Sequence, residues 1–456
     1  MGKRFGPRVR RALYRAVLMR LGTTLQDLEI LQKLEHLPRH KIDAFQQDRL
    51  RRLLRHAARR VPYYREVLTE AGVVSASGNV RLDRFSQIPL LEKSTLHERF
   101  EDLKSEDVSG RDWYQNTSGG STGETARFIQ DREFADWGRA VGLLFDSWAG
   151  YSPGDLKFLI WPVHRDLAGR RTSIRSIGGT LLRNETWLDA RRMTHDQMRE
   201  SLKWIDRKQP VQVYAFPENL YELARIALQE ELQPRPPGAI VTSGGILLPA
   251  VRETISIAFH APIFDRYGSR ELSGIAAECI AHSGLHICPA LQYVEILKPD
   301  GFRADPGENG ELVVTSLVNY AMPLIRYRVG DVAAWSTDAC SCEREWPMLR
   351  GLEGRNRDLF VKRDGTRIRI LERVFHQHVW VRQFQVIQEE YDHVRVLLVP
   401  NGYAQDTLTR VTSEVEQIQE SIRNSMGQDC RVEVILTGHI DTAPSGKFRQ
   451  QISKVG

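Results

Sequence analysis

The spacing of apolar and polar positions changes along the chain. Residues 45–61 repeat Leu, Ala and Val at helical spacing with arginines between them, which predicts a surface helix with one buried stripe. In the middle of the chain, short apolar runs alternate with helical segments, and this alternation is typical of a layered α/β domain. The predicted strands of this part are 211–216, 239–242, 263–265, 293–297 and 311–315.

The end of the chain has a simpler pattern. Apolar runs at 394–400 and 431–436 flank a helix with an apolar stripe over 408–422, so a compact β-α-β unit is predicted. A domain boundary is expected near 351–357. The predicted α/β fold therefore has three parts: a basic N-terminal extension that packs on the large domain (1–44), a large layered domain (45–353) and a small α+β C-terminal domain (354–456).

Composition narrows the class of protein. Of 456 residues, 41% are hydrophobic and 27% are charged, which is typical of a folded chain rather than a disordered one. No run approaches the roughly 18 uncharged apolar residues that a membrane span needs. The net charge of +6 is small for this length, and the arginine-rich helix lacks the aromatic pattern of nucleic-acid binding. No nucleic-acid partner is predicted.

Residues 1–20 contain seven Lys and Arg side chains and no acidic one. Such a segment can dock on anionic lipid or act as an organellar presequence, and a solvated terminal helix has the same composition. The chain lacks a secretory apolar segment, and its five cysteines are unevenly spaced, so a reducing cytoplasm is predicted. The expected protein is cytoplasmic, with peripheral contact to the inner membrane face as an option, and is a monomer or homodimer.

The segment 117–123 reads Thr-Ser-Gly-Gly-Ser-Thr-Gly. Its glycines let the backbone bend closely around a ligand, and its N–H and O–H donors can surround phosphate oxygens. It is not a Walker A loop, because Glu124 and Thr125 stand where Lys and Ser or Thr are required. It also matches the Gly-x-Ser-x-Gly turn of serine hydrolases, although no apolar strand precedes Ser121. A phosphate loop, a surface turn and a hydrolase nucleophile all stay open on these residues.

Three shorter motifs follow, and each is weak by itself. Tyr267 and Gly268 place a ring beside a flexible turn that can cover a flat base, and Glu271 can hold Mg²⁺. Asp331 follows a glycine turn, and one carboxylate can accept hydrogen bonds from two ribose hydroxyls. Lys447 lies in a Pro-Ser-Gly loop near the end of the chain. Ordinary surface and loop positions explain each of these residues equally well in isolation.

Taken together, the motifs resemble those of the adenylate-forming enzymes, which include acyl-CoA synthetases, peptide-synthetase adenylation domains and luciferases. Their order is Thr-Ser-Gly-Gly-Ser-Thr-Gly, Tyr-Gly-Ser-Arg-Glu, Tyr-Arg-Val-Gly-Asp, Gly-Arg-Asn-Arg-Asp and Ser-Gly-Lys-Phe-Arg. The segments 61–68, 88–96, 117–128, 277–287 and 320–331 are similar to phenylacetate–CoA ligase-like proteins, including CapK-type proteins of capsular-polysaccharide loci. The resemblance covers about residues 45–452.

This resemblance implies ATP-dependent conversion of a small-molecule carboxylic acid into an acyl-adenylate, with Mg²⁺ as cofactor and CoA as the acceptor. It implies a large adenylation domain and a small mobile domain that swings at Arg357 and carries the catalytic Lys447. Glu271 would be the second catalytic group, through Mg²⁺. The implied nucleotide-binding residues are Thr117, Ser118, Gly119, Gly120, Ser121, Thr122, Gly123, Ser243, Gly244, Gly245, Tyr267, Gly268, Asp331 and Arg355.

The chain departs from the family at three positions. Gly245 and Arg357 stand where relatives often carry acids, and Thr125 replaces a common proline. These departures bear on the acceptor, because CoA transfer depends on domain rotation. Amide or ester formation on a sugar, an amino acid or a carrier protein is the alternative outcome. A binding protein without turnover and a hydrolase that uses Ser121 are the other readings.

The acid pocket and the cysteines complete the sequence-based picture. Candidate pocket residues are Trp137, Phe145, Trp148, Phe216 and Pro217, which favour an aromatic or apolar acid. A structural Zn²⁺ is predicted at Cys279, His286 or Cys288, Cys340 and Cys342. The Cys-x-Cys spacing is tighter than that of a usual zinc knuckle, and reduced buried thiols are the alternative.

Overall fold

The computed structural model describes residues 6–75, 77–117, 126–161, 183–190, 193–355, 359–368, 375, 380–400, 408–440 and 450–455. The chain forms two compact units. The first unit comprises Met1–Val329 and Ala333–Leu352, and the second comprises Gly330–Val332 and Glu353–Gly456. The predicted mixed α/β fold, with a large unit and a smaller C-terminal one, is confirmed.

The helices of the described ranges are α1 (Pro7–Leu21), α2 (Thr24–Leu34), α3 (Arg39–Arg60), α4 (Pro62–Glu70), α5 (Lys93–Glu98), α6 (Arg132–Trp148), α7 (His195–Lys208), α8 (Pro217–Gln229), α9 (Pro249–Phe259) and α10 (Leu408–Met426). The 3₁₀ turns are Leu82–Gln87 and Val108–Gly110.

The strands are β1 (Trp113–Thr117), β2 (Arg127–Asp131), β3 (Lys157–Trp161), β4 (Glu185–Asp189), β5 (Gln212–Ala215), β6 (Ala239–Ser243), β7 (Ile263–Ser269), β8 (Ser273–Glu278), β9 (Leu285–Ile287), β10 (Gln292–Leu297), β11 (Gly310–Ser316), β12 (Tyr327–Trp335), β13 (Met348–Arg355), β14 (Phe360–Val361), β15 (Arg367–Ile368), β16 (Val381–Glu390), β17 (His393–Pro400), β18 (Arg431–Leu436) and β19 (Gln451–Ser453). All five strands predicted in the middle of the chain are present.

An 11-stranded mixed sheet has the order β10-β11-β12-β13-β9-β8-β7-β6-β5-β3-β4. Strands β4, β3, β5, β6 and β7 pair in parallel. Parallel strands are covered on both faces, so β6 is buried throughout and β5 is buried at every position except Tyr214. Their core includes Ile205, Val213, Leu220, Ile240 and Ile255.

The N-terminal helices α1 to α3 belong to the first unit. In α3, Leu50, Leu53 and Leu54 are at most 2% exposed, which confirms the predicted apolar stripe. Helix α2 is joined to α6 because the Thr24 hydroxyl donates a hydrogen bond to Asp136 Oδ1 over 2.8 Å. Burial of one helix face provides most of the stability of such a segment.

The second unit contains a four-stranded sheet of order β18-β17-β16-β19. Strands β17 and β18 pair in parallel, and α10 connects them, which is the predicted β-α-β unit. Ile418 and Ile422 of α10 are fully buried in a core shared with Phe384 and Val396.

Helix α1 is amphipathic, with Leu18 buried and with Val9, Leu13 and Met19 exposed by 50%, 39% and 62%. Arg11 on this helix forms an ion pair with Asp155 at 2.7 Å. Within the described ranges, no helix has both the length and the apolar character that crossing a bilayer requires.

Candidate active site and cysteine–histidine cluster

The carboxyl ends of β5, β6 and β7 meet at one edge of the sheet, where open α/β sheets generally bind ligands. We call this the strand edge, and it comprises Phe216, Ser243–Gly245 and Tyr267–Glu271. Ser243 pairs with Arg266, the residue before Tyr267. The sequence motifs at 243–245 and 267–271 are therefore neighbours in the fold, although about twenty residues separate them.

Two glycines at the strand edge lie against larger side chains. Gly244 has φ +79°, and a Cβ there would fall well inside contact distance of the Phe216 ring. That ring stacks on Trp161 with centroids 4.1 Å apart and an interplanar angle of 9°. A Cβ on Gly245 would meet Glu218 Oε1 at 2.6 Å. Glycine at these positions leaves backbone, rather than side chain, at the surface of the edge.

The second half of the edge is a tight turn between β7 and β8. Gly268 lies against this turn, since a Cβ there would meet the Ser273 carbonyl oxygen at 2.5 Å. Tyr267 is 8% exposed, so its ring is held by the core. The Leu272 amide donates a hydrogen bond to Ser269 Oγ over 3.2 Å. The turn thus fixes the backbone of Glu271, which is half-buried.

A buried glutamine connects this turn to the strands that flank the glycine-rich segment. Thr117 ends β1 and is paired with Arg127 of β2, so residues 118–125 connect the two strands. Gln130 on β2 is 1% exposed, and its Nε2 donates to the carbonyl oxygens of Arg270 at 2.7 Å and Glu271 at 3.4 Å. Buried polar contacts of this kind fix orientation strongly. Sequence reasoning missed Gln130.

The remaining predicted residues are placed as follows. Asp331 lies on β12 in the part that belongs to the second unit, and Arg355 ends β13. Ser118, Gly119, Gly120, Ser121, Thr122, Gly123, Arg357 and Lys447 lie outside the described residues.

The proposed acid-pocket aromatics fall into two groups. Trp137 and Phe145 of α6 are buried in a core with residues of α2 and α3, and Trp148 Nε1 donates to Glu35 Oε1 over 2.8 Å. Phe216 lies at the strand edge and stacks on Trp161, and Pro217 begins α8. Trp161 was not predicted, although its place at the end of an apolar run was a signal.

A buried carboxyl lies behind the strand edge. Asp265 on β7 accepts a hydrogen bond from Thr242 Oγ1 at 2.8 Å, and its amide donates to Glu278 Oε2 at 2.9 Å. Arg252 Nη2 donates to Glu278 Oε1 at 2.6 Å. Burial raises the pKa of Asp265 to about 7, because its ionised form loses hydration. No local pattern of residues predicts this pair of acids.

Four soft donor atoms converge next to Glu278. The side chains of Cys279, His286, Cys340 and Cys342 place their ligand atoms within 4.8 Å of one another. Burial lowers the pKa of His286 to about 4, so its ring is neutral and can act as a metal ligand. The predicted alternative ligand, Cys288, is instead part of the apolar core with Leu31 and Trp346.

Comparison with known proteins agrees with this architecture. Residues 360–454 match the family described as the CapK C-terminal domain. The chain is 25% identical to phenylacetate-coenzyme A ligase of Thermus thermophilus over 92% of this chain and 98% of that protein. It is 21% identical to protein CapK of Staphylococcus aureus over 60% and 59% of the two chains.

A solved structure shows the same fold. It is 2-hydroxyisobutyryl-CoA ligase in the postadenylation state, which matches with a TM-score of 0.73 and 22% identity over 93% of this chain and 92% of the other. Together these findings confirm the resemblance to adenylate-forming proteins of the phenylacetate–CoA ligase-like and CapK type.

Proposed function

We propose that this phenylacetate–CoA ligase-like, CapK-type chain activates a carboxylic acid with ATP, forms an acyl-adenylate and releases pyrophosphate. Its similarity to phenylacetate-coenzyme A ligase over nearly the whole length of both proteins supports this reaction. We propose CoA as the acceptor for the same reason.

One observation carries the proposal most directly. Gln130 connects the strands that flank the glycine-rich segment to the backbone of Arg270 and Glu271. This contact supports a site in which donors of 117–123 and the Glu271 carboxylate serve the same triphosphate. The glycines at 244 and 268 support close approach of a flat nucleotide to the backbone.

In the proposed site, the segment 117–123 binds the ATP phosphates, while Ser243–Gly245 and Tyr267–Gly268 flank the adenine. Asp331 accepts hydrogen bonds from the ribose, and Arg355 helps to fix the nucleotide. Glu271 binds the Mg²⁺ that accompanies ATP, and this ion would neutralise charge on the phosphates and the leaving pyrophosphate.

The proposed reaction brings a carboxylate oxygen to the α-phosphorus, forms the C–O–P bond and breaks the bond to pyrophosphate. Two anions meet in this step, so its barrier is largely electrostatic. Lys447, carried by the second unit, would bridge the acid and the α-phosphate. Arg357 is the proposed hinge residue.

A second acceptor is favoured by a specific observation, the match of residues 360–454 to the CapK C-terminal domain. For such a protein, amide or ester formation on a sugar, an amino acid or a carrier protein would follow adenylation. Adding CoA to each adenylation assay separates the two outcomes, because acyl-CoA forms only when CoA is the acceptor.

ATP–pyrophosphate exchange with aryl, fatty, amino and sugar acids tests the first step. We expect exchange with at least one aryl or apolar acid, given Phe216 at the strand edge and the Trp161 ring that stacks on it. ATP binding without exchange for any acid in the panel would favour a binding protein and overturn the proposal. A fluorophosphonate probe that labels Ser121 would favour the hydrolase.

The role of Gln130 can be tested with a matched pair of variants. Gln130→Leu removes the donor to Arg270 and Glu271, and should lower exchange roughly tenfold, the effect of about 1.4 kcal/mol for a buried hydrogen bond. Gln115→Leu makes the same change at an exposed position of β1 and should keep near-normal exchange. Equal activity of the two variants would show that the contact does not position the site.

We also propose that α1 contacts an anionic membrane surface. Its exposed Val9, Leu13 and Met19 lie among basic residues, and apolar insertion combined with basic charge is the mode by which amphipathic helices bind such surfaces. This contact is independent of catalysis.

A further inference from the structure

We propose that Cys279, His286, Cys340 and Cys342 bind one zinc ion, which fixes the loop between β12 and β13 to the β8–β9 hairpin. This inference concerns only the first unit and does not rest on the proposed ligase reaction.

The distances between donor atoms fit a tetrahedral site. Zinc lies about 2.3 Å from sulfur and about 2.0–2.1 Å from histidine nitrogen, so neighbouring ligand atoms of a tetrahedron are roughly 3.5–3.8 Å apart. Cys279 Sγ lies 3.5 Å from Cys340 Sγ, and Cys342 Sγ lies 3.3 Å from His286 Nε2. All four ligand atoms are within 4.8 Å of one another. A shift of at most about 1 Å between the most widely spaced atoms would complete the coordination sphere.

The same distances argue against a disulfide. A disulfide needs an S–S separation of about 2.05 Å, and Cys279 and Cys340 keep separate thiols at 3.5 Å. Three sulfurs and one imidazole nitrogen form the closed Cys₃His set of structural zinc sites, with no open position for a substrate. These soft ligands favour zinc over Mg²⁺ or Ca²⁺, which prefer oxygen.

Two of the cysteine sulfurs accept hydrogen bonds from neighbouring groups. The Ala281 amide donates to Cys279 Sγ at 3.4 Å, and Ser283 Oγ donates to Cys340 Sγ at 3.1 Å. Hydrogen bonds of this kind stabilise negative thiolates and orient metal ligands. They are directed at Cys279 and Cys340, which are 61 residues apart in the sequence.

The loop that carries Cys340 and Cys342 also contacts the end of α2. It spans residues 336–347 and contains no helix or strand. Arg344 Nε donates to Glu35 Oε1 at 2.7 Å, and Trp346 Nε1 donates to the Leu34 carbonyl at 3.1 Å. The loop therefore holds the end of α2. A zinc ion would keep this irregular segment ordered, because coordination replaces the contacts that a helix or strand would make.

The test is elemental analysis of the full-length protein, expressed with zinc in the medium and purified without chelator. We expect about one zinc per chain, the stoichiometry of a closed four-ligand site. Cys340→Ser/Cys342→Ser should lose the metal. Cys430→Ser should retain it, because Cys430 belongs to the core of the second unit. Zinc well below one per wild-type chain, or full retention by the double variant, would overturn the proposal.

Cobalt exchange keeps the test informative should the double variant fold poorly. Wild-type protein loaded with Co²⁺ should show the visible absorption of a tetrahedral cobalt site with thiolate charge-transfer bands. Removal of zinc should also increase protease cleavage within 336–347. An octahedral cobalt spectrum without thiolate bands, or iron in place of zinc, would contradict the assignment.

Discussion

The strand edge and the cysteine–histidine cluster lie on the same sheet but are built in opposite ways. The strand edge offers backbone at Gly244, Gly245 and Gly268, where any Cβ would meet a neighbouring atom. The cluster offers side chains whose ligand atoms already lie within 4.8 Å of one another. A surface of backbone suits a ligand that arrives and leaves, whereas converging soft donors suit an ion that stays.

Asp265 and Glu278 connect the two regions. Asp265 precedes Tyr267 by two positions on β7. Its backbone amide donates a hydrogen bond to the carboxylate of Glu278, the residue directly before Cys279. This hydrogen bond adds to the antiparallel pairing of β7 with β8, which joins the strand edge to the cluster. Changes at the strand edge should therefore alter catalysis, and changes at the cluster should alter metal content and order.

The largest effect on catalysis is expected from a residue that belongs to neither region. Lys447→Ala should slow adenylation roughly 10²–10³-fold, the cost of losing one preorganised electrostatic stabiliser. Transfer from a supplied acyl-adenylate should be affected much less. Pyrophosphate exchange and single-turnover transfer measure the two steps, and Lys454→Ala is the control, because Lys454 is exposed and pairs with Glu389. Equal loss in both steps would contradict the role of Lys447.

A second prediction tests the strand edge itself through two adjacent glycines. Gly244→Ala adds a Cβ against the Phe216 ring in a left-handed conformation, and should lower adenylation roughly 10–100-fold, since such strain costs about 1–3 kcal/mol. At Gly245 the added Cβ meets only the flexible tip of Glu218, so Gly245→Ala should stay within about threefold of wild type. Exchange kinetics compare the two. Similar losses of exchange activity in the two variants would show that the stacked rings of Phe216 and Trp161 do not shape the strand edge.

The third prediction concerns the link between the two regions. The raised pKa of Asp265, about 7, means that its folded form keeps a proton that the unfolded chain releases above about pH 4. Stability is therefore lost as pH rises from about 4 to 7. Asp265→Asn removes this titration while an amide oxygen can still accept from Thr242. The stability of the variant relative to wild type should therefore rise by about 2–3 kcal/mol between pH 5 and pH 8.

Urea unfolding at both pH values measures this difference. Asp206→Asn is the control, because Asp206 is exposed and hydrogen bonds from Arg235 lower its pKa rather than raise it. Its variant should show no gain in stability at the higher pH. If the difference in unfolding free energy between Asp265→Asn and wild type is the same at both pH values, Asp265 is ionised in the folded protein.

How much the sequence predicts depends on whether the signal is local. The strands at 211–216 and 239–242 follow from continuous apolar runs, and the motif around Tyr267 is contiguous. Gln130 escaped prediction because its partner Arg270 is 140 residues away, and a lone glutamine carries no local pattern. The choice between His286 and Cys288 depended on which position faces the 336–347 loop. Packing decides it, because His286 Nε2 lies 3.3 Å from Cys342 Sγ whereas Cys288 is buried in the core with Leu31 and Trp346. Residues two apart lie on the same face of an extended chain, so spacing alone does not distinguish them.

The smallest effect is expected at α1, an apolar surface that belongs to neither region. Leu13 is 39% exposed, so its insertion into a bilayer would bury roughly that share of the 1.5–3 kcal/mol of a leucine side chain. Leu13→Ser should therefore weaken binding to vesicles that contain phosphatidylglycerol about three- to fivefold. Leu228→Ser, at a 43% exposed leucine of α8, is the matched control and should bind like wild type. Sedimentation with vesicles checks both variants, with phosphatidylcholine vesicles as the neutral surface. Equal weakening by the two changes would place the contact elsewhere on the protein, and unchanged pyrophosphate exchange in both would separate docking from catalysis.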